Sequence, residues 1–261
     1  MTGKVAQVYV SGLPPGADEA ALSAALAGVA VSSTEIVIDL ETGEPRGYAV
    51  IRLSEEALEG TLRLLNGKQL PGGTLMMASP MPVTLPGEMA VRDWLHRNAS
   101  RVFRNVGLKP GDRVLDYGCG PGIFAVAGAE VVGAGGKVYA LDTRNRALEQ
   151  VKERAAKAGV TNVVTLLQDP ASFTVDLPGR SLDAVVIYDV LHDIADKPAL
   201  LTEVARLLKP GGFLSVFPMH WGNGPCLKLV EEHGLFRLRD QFVPPNSKSP
   251  SHILNLVKSS R

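Results

Sequence analysis

The sequence predicts an α/β protein in which a doubly wound, mostly parallel seven-stranded sheet follows a smaller α+β domain. The length of 261 residues allows one large domain or two ordinary ones. Apolar strand-like runs and helical segments alternate through the second two thirds of the chain, as in a parallel sheet. Before them, residues 79–87 (SPMPVTLPG) hold three prolines and a glycine, as a linker does. We therefore expect domains at residues 1–80 and 88–261, joined by a linker at residues 81–87.

The distribution of charge agrees with this division. Over the whole chain 27 basic residues balance 27 acidic ones, so no overall field would attract nucleic acid or an anionic membrane. Residues 1–82 nevertheless have a net charge of −4, and the remainder has +4. The composition, with 45% apolar and 21% charged residues, is typical of a globular protein and excludes a disordered or fibrous chain.

The cysteines and the apolar runs indicate a cytoplasmic protein. Cys119 and Cys226 are too few for a disulfide framework, and they lack the clustering of a zinc site. The first residues, MTGKVAQVYV, do not have the pattern of a signal peptide. No uniformly apolar run reaches the roughly 18 residues of a membrane span. We expect a reduced chain without a membrane-spanning segment.

The first domain has the order strand, helix, strand, strand, helix, strand. Its strands alternate apolar and polar residues, and Ser54 is placed to cap the second helix ahead of acidic residues. The segments are VYVSGL (8–13), ADEAALSAALAG (17–28), TEIVIDL (34–40), YAVIRL (48–53), SEEALEGTLRLL (54–65) and GTLMMAS (73–79). This order predicts a ferredoxin-like sandwich with both helices on one sheet face and the other face open.

The second domain begins with apolar residues at helical spacing through residues 88–106. Strands and helices then alternate in RVLDYG (113–118), a helix near 122–132, KVYALD (137–142), RNRALEQVKERAAKAG (144–159), NVVTLLQD (162–169), DAVVIYD (183–189), KPALLTEVARLLKPGG (197–212) and FLSVFPMH (213–220). A short helix at 227–233 and the strands FRLRDQFV and HILNLVK complete the chain. We expect these last two strands to form a closing antiparallel pair.

Two strands of the first domain carry the signature of a known family. VYVSGL and RGYAVIRL resemble the hexamer and octamer of the RNA recognition motif (RRM), and the resemblance covers residues 7–80. In that family aromatic rings on the open sheet face stack on bases, which implies RNA binding by Tyr9, Tyr48 and Arg46. The second aromatic of the octamer is Val50 here, and the domain is acidic. A second interpretation is that Tyr9 and Tyr48 pack on a half-exposed sheet face and do not bind RNA.

The motif VLDYGCGPG lies between a strand and a helix of the second domain. Gly118, Gly120 and Gly122 allow a sharp turn and the close approach of a ligand to the start of the helix. Asp142 ends the next strand, 20 residues after the last glycine, where an acid can hold ribose hydroxyls. Asp116 lies two residues before the first glycine. A carboxylate there suits a ligand with a cationic amino-acid end better than a pyrophosphate.

This combination resembles the class I S-adenosylmethionine (SAM)-dependent methyltransferases, which have a Rossmann-like fold, over residues 88–258. The resemblance implies SAM as the cofactor and assigns contact with the adenine amine to Asp169. The implied cofactor-binding residues are Asp116, Gly118, Cys119, Gly120, Gly122, Asp142, Thr143, Asp169 and Tyr188. Within the family, GCGPG…LLKPGG, DVLHDI and the H-x-L-N-x-x-K ending look most like the ubiquinone/menaquinone-biosynthesis type.

The residues after the fourth strand bear on the chemistry. Methyltransferases that act on base amines carry [DN]-P-P-[YF] there, and this chain has Tyr188-Asp189-Val190-Leu191. Methyl transfer from a sulfonium depends mainly on positioning and on exclusion of water, and it needs a base only if the nucleophile must lose a proton. The candidates for that base, at the carboxyl edge of the sheet, are Asp189, His192 and His220, with His192 preferred.

Two residues of the helical segment 88–106 are candidates for a lid over the cofactor pocket. Trp94 and His96 lie where they could cover the cofactor pocket, although the spacing of Trp94 fits the apolar stripe and favours a core position. A cysteine nucleophile is disfavoured, because Cys119 lies in the glycine loop and Cys226 follows Pro225 in a turn.

Three functions remain open at this point. The first is an enzyme that methylates a small or lipid-like acceptor, favoured by the acidic first domain and by the missing amine-methylating motif. The second is an RNA methyltransferase whose RRM-like domain captures single-stranded RNA, favoured by the fusion of the two domains. The third is a binding protein in which SAM has a structural role only.

Overall fold

The computed structural model describes residues 4–14, 16–70 and 74–259, which fold into two compact units. The first unit consists of the described residues up to Trp94 together with Pro244–Pro250. The second unit consists of Leu95–Val243 and the described residues from Ser251 onward. The domain limits at residues 80 and 88 stay a prediction.

The first unit is a four-stranded antiparallel sheet with two helices against one face. Its elements are β1 (Val5–Ser11), α1 (Glu19–Ala25), β2 (Ser33–Ile38), β3 (Pro45–Ser54), α2 (Leu58–Leu65) and β4 (Met77–Met81). The strand order is β2-β3-β1-β4, and alternate apolar residues of β1 and β3 form a core with the helices. The predicted ferredoxin-like order is confirmed.

Local details of this unit differ from the prediction. Asp18 caps α1, and its side chain accepts a hydrogen bond from the N–H of Ala21 at 2.8 Å. The expected cap by Ser54 is wrong, because a 3-10 turn at Glu55–Ala57 leads into α2 and the Ser54 side chain accepts no N–H of that turn. The last strand begins at Met77, four residues later than expected. Gly73, where it was predicted to begin, lies outside the described residues.

The second unit is built on a seven-stranded sheet of order β10-β11-β9-β8-β5-β6-β7. Helix α3 (Glu88–Arg97) belongs to the first unit up to Trp94 and to the second unit from Leu95. The other elements of the second unit are α4 (Ala99–Val106), β5 (Arg113–Tyr117), α5 (Ile123–Val132), β6 (Lys137–Asp142), α6 (Asn145–Ala158), β7 (Val163–Leu167), β8 (Leu182–Tyr188), α7 (Lys197–Leu207), β9 (Leu208–Phe217), α8 (Asn223–His233), β10 (Phe236–Phe242) and β11 (Ile253–Lys258). Strand β11 pairs antiparallel with β10 and with β9, and the other strand pairs of this sheet are parallel.

The mostly parallel, doubly wound sheet and its closing antiparallel pair are therefore confirmed. Residues 88–106 form two helices separated at Asn98, whose φ of −114° and ψ of 21° are not helical. The predicted helix at 227–233 already begins at Asn223, and β9 takes in the KPGG residues that we expected to close α7. No helix in the described part of the chain combines the length and the apolarity that crossing a bilayer requires.

The strand order fixes where a ligand can bind. From β5 the chain adds β6 and β7 on one side, then β8 and β9 on the other, so the order reverses between β5 and β8. Ligands of doubly wound sheets bind beyond the carboxyl ends of the strands at such a point. The glycine loop follows β5 here, and the segments that hold Asp142, Asp189 and His220 end or follow β6, β8 and β9.

Candidate active site

The loop after β5 has the backbone conformation that its glycines predict. Gly118, Gly120 and Gly122 have φ values of 73°, 50° and 80°. A Cβ at Gly118 would lie 2.6 Å from Cγ2 of Val190, and one at Gly122 would lie 2.8 Å from Cγ2 of Val151. A Cβ at Gly120 would meet no described atom within 4 Å. The outer glycines are therefore required by packing, whereas Gly120 borders space that a ligand can enter.

Asp116, on β5 just before this loop, is a buried carboxylate that is only partly satisfied. It is 3% exposed, and it accepts a hydrogen bond from the backbone N–H of Ala125 in α5. Its Oδ2 has no hydrogen-bond partner among the described residues. Burial, assisted by the nearby charge of Asp142, raises the pKa of Asp116 to about 7. A buried carboxylate oxygen without a hydrogen-bond donor destabilises the folded protein, unless a bound ligand supplies the donor.

Asp142, at the end of β6, is held in place by four hydrogen bonds. The N–H of Gly120 donates to Oδ2 at 2.9 Å, and the N–H of Arg144 donates to Oδ1 at 2.9 Å. The Arg144 side chain, 71% exposed, adds bonds from Nε at 3.1 Å and Nη2 at 3.3 Å. Burial opposes ionisation, but these bonds outweigh it and lower the pKa of Asp142. A ribose diol would have to replace the Arg144 side chain.

The other predicted cofactor residues differ in their exposure and in the polar groups that they leave for a ligand. Thr143 and Asp169 follow β6 and β7 and are exposed, and Oδ1 of Asp169 accepts a bond from the N–H of Ala171 at 2.9 Å. Tyr188 is buried at the end of β8, and its hydroxyl lies 2.8 Å from Oγ of Ser215. Because that hydroxyl is used internally, only the ring of Tyr188 is left for a cofactor contact.

Neither cysteine has the surroundings of a reactive nucleophile. Cys119 and Cys226 are both buried and form no disulfide. Burial raises the pKa of Cys226 to about 12 and also raises that of Cys119. Both therefore stay protonated at neutral pH, in keeping with the sequence argument against cysteine catalysis.

The three candidate base residues lie together. Nε2 of His220 lies 3.3 Å from Oδ1 of Asp189, and the rings of His192 and His220 are 4.3 Å apart between centroids. Asp189 and His220 have φ values of 57° and 66°, a left-handed conformation that costs a non-glycine residue on the order of 1 kcal/mol. Backbone strain of this kind at two neighbouring residues is typical of a functional site.

Sequence reasoning missed two residues around these groups. Asp193 has Oδ1 3.4 Å from Nε2 of His192, and Arg144 binds Asp142 as described. The available signal was proximity in the chain, since each charged residue lies one or two positions from its partner.

The two residues considered as a lid have different surroundings. Trp94 is fully buried, as its place in the apolar stripe predicted. The ring of His96 lies edge-on to Phe124 at 5.4 Å. His96 also lines a groove of about 660 Å³ between α4, α5 and α6. The cations that line this groove are Arg97, Arg101, Arg104, Arg154 and Lys157, and its acid is Glu130.

The sheet face of the first unit that carries the tyrosines is partly covered by the chain itself, so the expectation of an open face is wrong in part, while Tyr9 and Tyr48 stay partly exposed. The rings of Tyr9 and Tyr48 lie side by side, with centroids 5.1 Å apart. The Tyr48 hydroxyl donates to Asp93, and Nε of Arg46 lies 3.1 Å from Oδ2 of Asp93. Burial and the Asp93 contact raise the pKa of Tyr48. Val50 is fully buried.

The covering segment is residues 84–93, which we call the strap. The N–H of Thr84 donates to Oε1 of Gln7 at 2.5 Å, and the N–H of Gly87 donates to Oε1 of Glu35 at 3.0 Å. Nη2 of Arg52 donates to the Thr84 carbonyl at 2.9 Å. Facing positions in the strand pairing place Gln7, Glu35 and Arg52 on the same sheet face as the tyrosines.

Comparison with known proteins agrees with this geometry. Residues 108–220 match the family described as a methyltransferase domain, and residues 8–76 match the RNA recognition motif. A 2-phytyl-1,4-naphtoquinone methyltransferase of Synechococcus elongatus is 34% identical over 137 residues, 52% of this chain and 57% of the relative. The protein of that name in Trichormus variabilis is 31% identical over 162 residues, 59% of this chain and 68% of the relative. This chain therefore spans little more than half the length of the Synechococcus relative.

A solved structure shows the same fold. The SAM-dependent methyltransferase from Aquifex aeolicus superposes with a TM-score of 0.53 at 23% identity, over 62% of this chain and 90% of that one. The doubly wound sheet with a glycine loop and buried acids at its carboxyl edge defines the Rossmann-like class that uses SAM. The chain belongs to the SAM-dependent methyltransferase family, and its first unit carries an RNA recognition motif.

These findings confirm the predicted family resemblance and fold class, and they confirm SAM as the cofactor that the family uses. The relatives also include methyltransferases of ubiquinone and menaquinone biosynthesis, the type that the motifs indicated. The roles of individual site residues stay predictions.

Proposed function

We propose that the protein transfers the methyl group of SAM to a small, lipid-like acceptor related to the naphthoquinones. The observation that carries this proposal is Asp116, a buried carboxylate with an unused oxygen on the strand that leads into the open glycine loop. The names of the relatives support the acceptor class. The whole site lies at one sheet edge, within the second unit.

The residues fit the cofactor. Asp116 can accept a hydrogen bond from an ammonium group, which compensates the buried charge. Asp142, oriented by the N–H of Gly120, can hold the ribose hydroxyls, and Asp169 can accept from the adenine amine. When bound, SAM supplies an electrophilic methyl group on a sulfonium. The open space at Gly120 allows the backbone to approach the ligand without a side chain between them.

The acceptor side of the site is formed by Asp189, His192 and His220. Their positions after β8 and β9 place them at the same edge as the glycine loop. They can orient a ring hydroxyl and assist the loss of its proton, which makes the oxygen or the conjugated ring carbon more nucleophilic. The enzyme's main task is then to align the acceptor with the S–methyl bond and to exclude water.

A transfer assay with labelled SAM tests the proposal. The full chain is offered an alkylated 1,4-naphthoquinol, a small-molecule extract and total RNA in parallel. We expect label in the quinol or the extract, a loss of transfer in Asp142→Ala at limiting SAM, and full transfer in Glu149→Gln, which changes an exposed acid of α6. Label in RNA alone would contradict the small acceptor, and SAM binding without any transfer would favour the binding-protein alternative.

RNA methylation is the second candidate, and the groove along α4, α5 and α6 favours it. Five cations face one acid there, a surface that suits a phosphate backbone. RNA binding by Tyr9, Tyr48 and Arg46 would in addition require the strap to leave the sheet face. We expect Arg101→Glu with Lys157→Glu to weaken any RNA binding strongly and to make the remaining affinity less dependent on salt in a fluorescence-anisotropy titration.

We also propose a cytoplasmic location. The two buried cysteines, neither of them in a disulfide, are the supporting observation.

A further inference from the structure

Asp189, His192 and His220, called here the Asp–His–His cluster, have the composition of a metal site. Each offers one ligand atom, and these atoms all lie within 4.8 Å of one another. The cluster is partly buried rather than spread over an exposed surface. Two imidazoles and one carboxylate on one side of an ion are a ligand set that divalent transition metals use, with further positions left for substrate.

The distances agree with this interpretation. Ligands that bind one ion at about 2.0–2.2 Å lie roughly 3–3.5 Å apart. Nε2 of His220 and Oδ1 of Asp189 are 3.3 Å apart, which is already the separation of adjacent ligands. The other separations reach up to 4.8 Å, so His192 needs only a modest side-chain rotation to join them.

Two members of the cluster follow strands that are hydrogen-bonded to each other. Asp189 and His220 follow the neighbouring parallel strands β8 and β9, which pair in register up to Tyr188 and Phe217. The N–H of Asp189 also donates to the Phe217 carbonyl at 3.2 Å. A site built on strand ends keeps its ligands in place without a bound ion. The left-handed backbone at Asp189 and His220 aims both side chains from these ends toward each other.

His192 has a carboxylate beside its ring, as many metal-binding histidines do. Its Nε2 lies 3.4 Å from Oδ1 of Asp193, and if Nε2 keeps this contact, Nδ1 is the nitrogen that would bind the ion. Such a carboxylate fixes the tautomer and the ring orientation of a ligand histidine. Asp193 therefore has the place of a positioning residue.

We propose that the Asp–His–His cluster binds one divalent transition-metal ion, which coordinates the oxygen of the methyl acceptor. Metal binding by the cluster does not depend on the proposed function, whereas the role of the metal in the reaction rests on it. An acceptor hydroxyl bound at an open position of the ion loses its proton to water. The resulting oxyanion, or the ring carbon conjugated to it, forms the new bond to the methyl carbon, while the S–CH₃ bond breaks and its electron pair stays on sulfur as a thioether.

The first test measures metal binding alone. The full chain is treated with a chelator, dialysed and titrated with Co²⁺ and Zn²⁺ in the absence of SAM and acceptor. We expect one ion per chain by calorimetry, and visible Co²⁺ absorption bands of a nitrogen and oxygen site. His192→Ala, His220→Ala and Asp189→Asn should each weaken binding more than about a hundredfold, and Asp193→Ala by about 10–100-fold. His233→Ala, a histidine at the end of α8, is the matched control and should bind normally.

Absence of stoichiometric binding, or binding that persists in all three ligand variants, would overturn the proposal. Because His220→Ala loses a group at a strained position, His220→Gln with intact SAM binding is the second variant, and it should also fail to bind Co²⁺. The chelated chain then separates this proposal from the proposed function. Full methyl transfer without metal overturns the metal's role and leaves the methyltransferase proposal standing. Metal binding without transfer to any small acceptor supports the site and contradicts that acceptor class.

Discussion

The sheet face of the first unit and the sheet edge of the second differ in what contacts their polar groups. On the face, Oε1 of Gln7, Oε1 of Glu35 and Nη2 of Arg52 are each hydrogen-bonded to the strap, although Nε2 of Gln7 has no partner among the described residues. At the edge, Asp116 keeps an oxygen without a partner among the described residues, and Gly120 borders open space. The face is arranged for a segment of its own chain, and the edge is arranged for a ligand.

This difference shows that a domain can keep the fold and the signature of a family while its sheet face packs against another segment. A face with the signature of RNA binding can serve as an internal packing surface once a nearby segment supplies its hydrogen bonds. A buried carboxylate left partly unsatisfied costs about 1–3 kcal/mol, which a stable fold tolerates where a bound ligand recovers it. A family signature alone therefore does not show that this face binds RNA.

The largest expected effect is at Asp116. Asp116→Asn removes the charge that we propose faces the cofactor ammonium, and it keeps the acceptor for the Ala125 N–H. Loss of one partner of a buried charge pair costs about 3 kcal/mol or more, so the Kd for SAM should rise more than a hundredfold. Calorimetry on the variant and on Glu149→Gln measures this. An unchanged affinity would mean that Asp116 does not hold the ligand.

The second effect is the pH dependence of the same group. The pKa of Asp116 is raised to about 7, so below that pH the carboxyl is protonated and SAM should bind about tenfold more weakly per pH unit. The unbound fold shows the opposite trend. Because the folded state holds the proton more tightly than the unfolded state, this group's contribution to stability falls as pH rises from about 4 to about 7.

Asp116→Asn should remove both trends, and the unbound variant should melt higher than the wild type at pH 8. Titrations of SAM between pH 5 and 8, with thermal melts in the same buffers, measure the two trends together. A wild-type affinity that does not change over this range would contradict the raised pKa.

Asp142→Ala should have a smaller effect than Asp116→Asn. It removes the proposed hydrogen bonds between this carboxylate and the ribose, worth about 1.5–3 kcal/mol, so the SAM affinity should fall roughly 10–100-fold. Adenosine should lose affinity in this variant, whereas it should bind Asp116→Asn as it binds the wild type. Equal losses of adenosine affinity in both variants would contradict the proposal that Asp116 contacts the ammonium group and Asp142 contacts the ribose.

The fold was largely predictable because its signals are local. Strand periodicity, the turn glycines and the alternation of strands and helices are each contained within short segments, and together they define the sheet around Gly118 and Asp142. The cofactor acids are likewise marked by their position beside a motif. Clustering of Asp189 and His220 followed from the rule that the carboxyl ends of parallel strands meet at one edge.

What escaped prediction depends on contacts between distant residues or on backbone detail. The strap bonds Thr84 to Gln7, 77 positions away, and no periodicity marks that pairing. The break at Asn98 and the failure of Ser54 to cap depend on local dihedral angles that the residue types permit but do not require. The partly covered sheet face could therefore be seen only in the structure.

The comparison can be sharpened by opening the face. Asp93→Ala removes the strap's contacts with Tyr48 and Arg46. The tyrosine can then stack on a base, which contributes ~1–3 kcal/mol to binding. Because moving the strap away uses part of this free energy, the affinity for single-stranded RNA should rise by only about 3–10-fold. Adding Tyr48→Ala should remove the gain, and Glu56→Gln should leave fluorescence anisotropy as in the wild type. A gain that survives Tyr48→Ala would place the RNA elsewhere, with the basic groove of the second unit as the first alternative.

The smallest effect tests the edge itself, at Arg144. The Arg144 guanidinium donates to Asp142 and is mostly exposed, so water and the ribose compete with it at little cost. Arg144→Ala should raise the pKa of Asp142 toward its ordinary value, since two of the bonds that lower it are lost. The SAM affinity at pH 7.5 should change by less than about threefold, because the N–H of Gly120 and the N–H of residue 144 still orient the carboxylate. Calorimetry at pH 7.5, beside Arg146→Ala as a nearby basic control, decides this. A loss as large as that of Asp142→Ala would show that Arg144 contacts the cofactor directly and is part of the site.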